Sequence, residues 1–334
     1  MKLKDLLSNF AEPFTVNGQI DCIITGLCCD SRIVCPGDVF IALRGGQEQD
    51  RHQFVEEALK LGAVALIVEE PVNVSIKIPQ VIVRNSRACL SYIAQNWYGN
   101  PAEKLVNIGV TGTNGKTTTA YMLYQILELL GSPCGYIGTL GLKIDDAFKR
   151  IGNTTPEADV MHRSLKSMVD AGKKFSSIEV SSHALSLGRV DNIKFSMGIF
   201  TNFSRDHIDF HDSMIEYFNA KSMLFEQLDK ESVAILNVDD EKSSLLAERT
   251  QARVIKYGES PSADFRLEKI EMAVDRMKLD IIAPDGSYSF STALTGAFNR
   301  YNILAVLSAG YCLGFGTEEI CRAVSKVKVV PGRF

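Results

Sequence analysis

The sequence predicts an α/β protein of two domains. The first is small and α/β. The second carries a mostly parallel sheet flanked by helices, with a short antiparallel β section. Three observations predict this. With 334 residues, the chain is too long for one ordinary hydrophobic core. Short apolar strands alternate with amphipathic helical stretches along most of it. The alternation breaks at Tyr98-Gly99-Asn100-Pro101 and then resumes, so the boundary is placed there, giving domains 1–99 and 100–334.

The elements follow in order. Residues 38–43 read as a strand that ends in Arg44-Gly45-Gly46. Residues 53–61 carry Phe54, Ala58 and Leu61 at helical spacing, with Gly62 placed to cap them. Residues 63–68 and 80–83 are further buried strands, and 86–97 is a helix. After the break, 105–110 is a continuous apolar strand of the kind a parallel sheet buries on both faces. A glycine-rich turn leads into a helix over 116–130, followed by Gly131. Residues 175–180, 195–201 and 233–238 are short apolar strands, each ending in polar residues. Open α/β sheets bind ligands at those carboxyl ends. Residues 264–292 alternate around Pro284-Asp285-Gly286 and form the antiparallel section. Helices over 302–313 and 318–327 complete the pattern, before Pro331-Gly332-Arg333-Phe334.

Composition narrows the function. The chain is 46% hydrophobic and 23% charged, as globular proteins are. Thirty-six basic residues against forty acidic ones leave a net charge of -4, so there is no basic field for nucleic acid. The cysteines stand at 22, 28, 29, 35, 89, 134, 312 and 321, with no Cys-x-x-Cys spacing for zinc. No long apolar run follows Met1-Lys2-Leu3-Lys4-Asp5, and no stretch is long and apolar enough to span a bilayer. The expectation is a reduced cytoplasmic protein with buried free thiols and no membrane contact.

The turn Thr111-Gly112-Thr113-Asn114-Gly115-Lys116-Thr117 carries the chemistry. At a helix start, backbone N–H groups lack partners and the helix dipole adds positive charge, so an anion is welcome there. Glycines let the backbone approach it. A lysine offsets the β/γ-phosphates, and a threonine hydroxyl reaches Mg²⁺. Gly112, Gly115, Lys116 and Thr117 supply these parts. The spacing is a shorter variant of the usual loop, because Val110 stands where the first glycine belongs. A buried strand before and an amphipathic helix after give the context that makes this a P-loop.

Other residues remain open on spacing alone. Glu179 ends the strand over 175–180, where a P-loop enzyme holds Mg²⁺, but a carboxylate there can equally cap the next turn. Residues 201–211 place Asp206, His207, Asp209 and His211 within a short loop after a strand. They suit either a metal site or a hydrogen-bonded loop. Lys221 lies in a helical stretch, 217–225, and nothing in its spacing singles it out.

Taken in order, several segments resemble the Mur ligase family. They are Gly112-Thr113-Asn114-Gly115-Lys116-Thr117, Asn153-Thr154-Thr155-Pro156, Glu179-Val180-Ser181-Ser182-His183, Thr201-Asn202 with Asp206-His207-Ile208-Asp209, Lys221, and Gly296-Ala297-Phe298-Asn299-Arg300-Tyr301-Asn302. Asp30-Ser31-Arg32 with Pro36-Gly37-Asp38-Val39-Phe40 is similar to the type that adds the third peptide residue, the UDP-N-acetylmuramoyl-tripeptide synthetases. The resemblance covers essentially the whole chain. It implies an N-terminal UDP-binding domain and a central ATP-binding domain.

The resemblance also implies roles. Gly112, Thr113, Asn114, Gly115, Lys116, Thr117 and Thr118 would bind ATP phosphates, Asn299 and Asn302 would lie near the adenine, and Arg333 would reach the γ-phosphate. Thr117 and Glu179 would ligate one Mg²⁺; His207 and a carbamylated Lys221 would ligate a second. Ser31 and Gly46-Gln47-Glu48 would hold the UDP part; Asn153, Thr154, Thr155, Ser181 and Arg189 would hold the muramoyl dipeptide. Leu187 departs from the pattern, standing where a polar residue often occurs.

The implied reaction is ATP-dependent amide formation, with Lys116, Lys221 and His207 catalytic. A carboxylate of UDP-N-acetylmuramoyl-L-alanyl-D-glutamate attacks the γ-phosphoryl group, and the amine of diaminopimelate or lysine displaces phosphate from the acyl phosphate. Family members carry a further C-terminal domain that binds the amino acid. The resemblance stops before it, so the expectation is a monomeric body that ligates little alone. Alternatives are a related Mur or folylpolyglutamate-type ligase, a non-catalytic nucleotide-binding module, and a metal hydrolase built on His207 and His211.

Overall fold

The computed structural model describes residues 1–45, 50–205, 210–329 and 331–332. By internal contacts the chain divides into two compact units. The first holds Met1–Pro101 together with Glu157–Lys166 and Ser186–Asn192, and the second holds the rest.

In the first unit, the helices are α1 (Leu3–Leu6), α2 (Val55–Lys60) and α3 (Ser86–Trp97). The strands are β1 (Phe14–Asn17), β2 (Gly26–Cys28), β3 (Asp38–Ile41), β4 (Ala65–Val68) and β5 (Gln80–Val83). They pair in the order β1-β5-β4-β3-β2. β2 to β5 run parallel, and β1 is antiparallel to β5. Successive side chains of a strand face opposite ways. Thus Val39 and Ile41 join a core with Leu3, Leu6, Leu90 and Ile93, while Phe40 joins Val55, Ala58 and Leu59 of α2. The Asn85 side chain caps α3, accepting from the amides of Arg87 at 3.0 Å and Ala88 at 3.1 Å. The helix expected over 53–61 is instead a 3₁₀ turn, Arg51–Phe54, leading into α2. Asp50 sets that turn by accepting from the His52 amide at 3.0 Å.

In the second unit, β6 (Val106–Thr111) leads through the glycine-rich loop to α4 (Lys116–Leu129). β7 (Cys134–Gly138), β8 (Gly141–Lys143) and β9 (Phe148–Lys149) follow. α5 (Ala158–Asp170) starts in the first unit and ends in the second. Next come β10 (Phe175–Glu179), α6 (Ser182–Ser186), β11 (Phe195–Phe200), α7 (Met214–Glu226), β12 (Val233–Asn237), α8 (Ser243–Arg249) and β13 (Arg253–Gly258). β14 (Phe265–Met272), β15 (Met277–Ala283), β16 (Gly286–Thr292), α9 (Asn299–Cys312) and α10 (Thr317–Val324) complete the series. The sheet order is β16-β15-β14-β13-β12-β11-β6-β10-β7-β8-β9.

From β7 across β10, β6, β11, β12 and β13 to β14 the strands pair in parallel; β14–β16 are antiparallel, as expected, with Pro284-Asp285-Gly286 at the turn from β15 to β16, and β8 and β9 add a further antiparallel edge beyond β7. β6 lies between β10 and β11, with Val110 opposite Glu179 and Thr111 opposite Phe200. The carboxyl ends of three strands therefore open side by side, where a doubly wound sheet takes its ligands. α4 and α9 close the core over this sheet, with Leu123, Ile126, Ile303 and Leu307 fully buried. All eight cysteines are free, five of them buried.

Candidate active site

The loop after β6 takes its shape from two glycines in left-handed regions, Gly112 at φ +146° and Gly115 at φ +84°. A Cβ on Gly112 would collide with Thr201 and the Asn202 backbone, so glycine is needed for close approach to the end of β11. Gly115 is the N-cap of α4, whose first-turn amides lack helical partners. The loop is braced from outside. The Asn114 amide donates to Asn202 Oδ1 at 3.0 Å, and Asn202 Nδ2 donates to the Asn114 carbonyl at 3.0 Å. The Thr113 hydroxyl accepts from the Ser204 amide at 3.0 Å. A preshaped loop binds an anion without first ordering itself.

Two ammonium groups converge on one carbonyl. Lys116 Nζ donates to the carbonyls of Gly112 and Thr113, both at 2.8 Å. Lys221 Nζ donates to the same Gly112 oxygen at 2.8 Å and lies 4.2 Å from the centroid of the Tyr217 ring. Lys221 is 1% exposed, so it is not the solvated helix lysine that its spacing would suggest.

Glu179 is fully buried at the end of β10. Its Oε2 accepts the hydroxyls of Thr117 at 2.8 Å and Thr139 at 3.1 Å. Its Oε1 accepts the Thr139 amide at 2.9 Å and the Tyr136 hydroxyl. Burial first, then the Glu179 charge, push the Tyr136 phenol far above its ordinary range, so it stays protonated and donates. Thr117 Oγ1 and Glu179 Oε2 stand 2.8 Å apart. Neighbouring ligands of an octahedral Mg²⁺ with bonds of about 2.05 Å lie about 2.9 Å apart, so this face suits a hard, oxygen-seeking cation.

Around this face stand other expected residues. The Thr154 hydroxyl is 3.0 Å from that of Thr139. Thr155 Oγ1 donates to the Glu179 carbonyl at 2.7 Å and accepts the Ser181 amide at 3.1 Å. Asn153 is exposed beside them in sequence. On the far side of the loop, the Thr119 hydroxyl donates to Asn302 Oδ1 at 3.1 Å, and Asn302 Nδ2 donates to Asn299 at 3.0 Å. The second unit thus brings together the loop, Glu179, Thr154, Thr155, Ser181, Lys221, Asn299 and Asn302. His211 is held by Ser182 Oγ at 2.9 Å and packs against the rings of Phe210 and Tyr217. Gly46, Gln47, Glu48, His207 and Arg333 lie outside the described residues.

The first unit holds Ser31 and Arg189. Ser31 Oγ donates to Glu57 at 2.6 Å. Arg189 Nη2 donates to Glu157 Oε1 at 3.0 Å. The same carboxylate takes Arg87 at 3.0 Å and pairs with Arg51 at 3.6 Å. Arg51 also donates to the Cys29 carbonyl at 2.7 Å, and Arg87 donates to the carbonyls of Arg44 at 3.1 Å and Gly45 at 2.9 Å. Burial pulls the Arg87 guanidinium below its usual value, and the Glu157 charge opposes it. Three arginines around one glutamate leave excess positive charge, which favours an anionic ligand.

Sequence reasoning missed Thr139, Tyr136 and Glu157. Thr139 and Tyr136 flank the end of β7, a glycine-rich strand without clear alternation. Glu157 directly follows Asn153-Thr154-Thr155-Pro156, which was its one available signal.

A parallel sheet whose central strand feeds a glycine loop, with lysine, threonine and a buried carboxylate at its mouth, defines a nucleoside-triphosphate-binding α/β protein. Comparison with known proteins narrows that class. Residues 110–310 match the Mur ligase middle domain, and residues 23–99 match the Mur ligase family catalytic domain. A UDP-N-acetylmuramoyl-L-alanyl-D-glutamate–2,6-diaminopimelate ligase of Geobacillus thermodenitrificans is 42% identical across the whole chain, which spans 69% of that relative. A solved structure of a ligase of that name aligns with a TM-score of 0.83 at 27% identity, over the whole chain and 68% of its own length. The MurF ligase of Thermotoga maritima, solved with ADP, shares the fold at a TM-score of 0.67 and 19% identity, over 95% of this chain and 69% of that one. The chain belongs to the Mur ligase family, whose members are ATP-dependent acid–amino-acid ligases.

Proposed function

We propose that this chain forms the UDP-sugar- and ATP-binding body of a ligase that joins 2,6-diaminopimelate to UDP-N-acetylmuramoyl-L-alanyl-D-glutamate in peptidoglycan precursor synthesis. The relatives bearing that name favour diaminopimelate over lysine. One observation carries the reading: Thr117 Oγ1 and Glu179 Oε2 converge at 2.8 Å beside the loop that Lys116 folds over. That pairing fits a metal-bound triphosphate.

In this reading the loop amides and Lys116 hold the β/γ-phosphates. Lys116 leaves the carbonyls of Gly112 and Thr113 for phosphate oxygens. Mg²⁺, held by Thr117 and Glu179, would offset the repulsion between an attacking carboxylate and a polyphosphate. The substrate carboxylate oxygen bonds to the γ-phosphorus while the bond to ADP breaks. The amine then attacks the acyl carbon, and phosphate leaves. Asn299 and Asn302 flank the nucleotide base, and Arg333 reaches the γ-phosphate. Asn153, Thr154, Thr155, Ser181 and Arg189 hold the acidic muramoyl dipeptide, with Ser31, Gly46, Gln47 and Glu48 on the UDP.

Carbamylation of Lys221 belongs to the same reading, with His207 as its partner at a second Mg²⁺. It would convert a buried cation beside Gly112 into an anionic oxygen ligand. Intact-mass and ¹³C-carbamate measurements test it. The protein is proposed to act as a cytoplasmic monomer. No described helix is long and apolar enough to cross a membrane.

The deciding experiment is a titration of Mg·ADP and, separately, of the UDP-muramoyl dipeptide, followed by ligation with diaminopimelate or lysine. Both ligands should bind, and Lys116→Ala should weaken ADP by roughly 100-fold, since it removes the charged phosphate contact. Unchanged ADP affinity in Lys116→Ala would overturn the reading. A preference for lysine would redirect the substrate assignment.

A further inference from the structure

The two oxygens of Glu179 are held in different ways. Oε2 faces the hydroxyls of Thr117 and Thr139, which can rotate off it when a cation arrives. Oε1 faces donors that cannot turn away. One is the Thr139 amide at 2.9 Å, fixed by the backbone. The other is the Tyr136 phenol.

The Tyr136 ring is locked by its neighbours. Tyr121 meets it edge-on at 5.4 Å and 75°, and Phe148 at 6.3 Å and 85°. The Leu140 amide approaches the phenol oxygen at 3.5 Å, which leaves the phenol proton directed at Glu179. Space for the bond is cleared by Gly138, because a Cβ there would collide with both Glu179 Oε1 and the Tyr136 oxygen. A buried phenol needs some acceptor. Here a glycine, an aromatic cage and a fixed amide all serve one particular acceptor.

We propose that Tyr136 is a positioning residue for the metal carboxylate. Together with the Thr139 amide it occupies Oε1, so Glu179 offers Oε2 alone, as a one-oxygen ligand aimed at the phosphate loop. This rests on the reading of Glu179 as a Mg²⁺ ligand. Carboxylate ligands are commonly oriented by such outer hydrogen bonds, and losing one typically costs 10- to 100-fold in metal affinity.

The test is ADP binding measured by calorimetry across a Mg²⁺ series and again in EDTA, for the wild-type chain, Tyr136→Phe, Gly138→Ala and Glu179→Gln. Tyr136→Phe keeps the ring and removes one oxygen. Its half-saturating Mg²⁺ concentration should rise roughly 10-fold or more, while ADP affinity in EDTA stays near wild type. Gly138→Ala should shift the Mg²⁺ curve in the same direction. If Glu179→Gln shifts the curve but Tyr136→Phe does not, the positioning role is wrong and the metal assignment survives. If Glu179→Gln leaves the curve unmoved, the metal assignment itself fails, and the inference with it. An equal loss of ADP affinity with and without Mg²⁺ in Tyr136→Phe would mark Tyr136 as merely structural and overturn the proposal.

Discussion

Glu157 in the first unit is a carboxylate 12% exposed and Glu179 in the second is fully buried, and their surroundings are opposite. Three guanidinium groups crowd Glu157. Hydroxyls and one amide serve Glu179, and its described donors are all neutral. A carboxylate held by neutral dipoles keeps its charge available for a cation. A carboxylate outnumbered by arginines leaves positive charge available for an anion. The difference assigns a ligand sign to each region before any ligand is named, and the signs agree with Mg²⁺ at one and an acidic UDP-sugar peptide at the other.

The largest expected effect breaks the arginine side. Glu157→Gln removes the carboxylate charge that Arg51, Arg87 and Arg189 share, among side chains that are 12–21% exposed. Breaking such a network costs about 3 kcal/mol of stability. Urea unfolding should show it, and a loss below about 1 kcal/mol would mean that Arg51 and Arg87 are held by their carbonyl contacts instead. Glu179→Gln should not destabilise in this way, because it removes a buried charge that has no cationic partner among the described side chains.

Acid separates the regions next. Burial pushes the His162 imidazole down to about 4, partly opposed by the backbone of Asp191. His162 lies on α5 within the first unit. The unfolded chain takes up this proton near pH 6.5 and the folded chain only near 4. Stability is therefore full above 6.5 and is lost as pH falls toward 4, by roughly 3 kcal/mol. Asp159 and Asp191, whose carboxyls burial pushes up, act in the opposite direction. His162→Gln isolates the histidine contribution: its stability should change less between pH 7 and 4.5 than the wild type's. Hydrogen exchange should show the first unit opening before the second.

How legible each region was follows from the same physics. The phosphate loop could be read because one short segment holds glycines, lysine and threonine, and its strand and helix flank it directly. β5, α3 and β6 emerged close to their expected ends, since apolar runs and caps are local signals. β7 was not marked as a strand, because glycines at 135 and 138 weaken its apolar pattern. Tyr136 and Thr139 were invisible for that reason. Glu157 stayed hidden because its partners stand at 51, 87 and 189, and no local spacing links them. Lys221 had only the family resemblance to single it out; its burial and its bond to Gly112 arise from the way α7 lies against β6.

The smallest effect sharpens the account of Glu179. Thr139→Val and Tyr136→Phe each delete one hydroxyl bonded to the same carboxylate. Thr139→Val keeps the backbone amide on Oε1 and loses the 3.1 Å contact on Oε2, the 3.0 Å contact with Thr154 and the 3.3 Å contact with Thr117. A cation arriving at Oε2 displaces that hydroxyl bond in any case, so losing it beforehand costs binding little. The expected cost is about 1 kcal/mol of stability in the ligand-free protein, the ordinary worth of one hydrogen bond. The Mg²⁺ dependence of ADP binding should move only about 2- to 3-fold, well short of the shift in Tyr136→Phe, as the conversion of a few tenths of a kcal/mol requires. Equal shifts in the two variants would show that the two oxygens are interchangeable. The carboxylate would then be free to turn, and the contrast between a fixed Oε1 and an offered Oε2 would be lost.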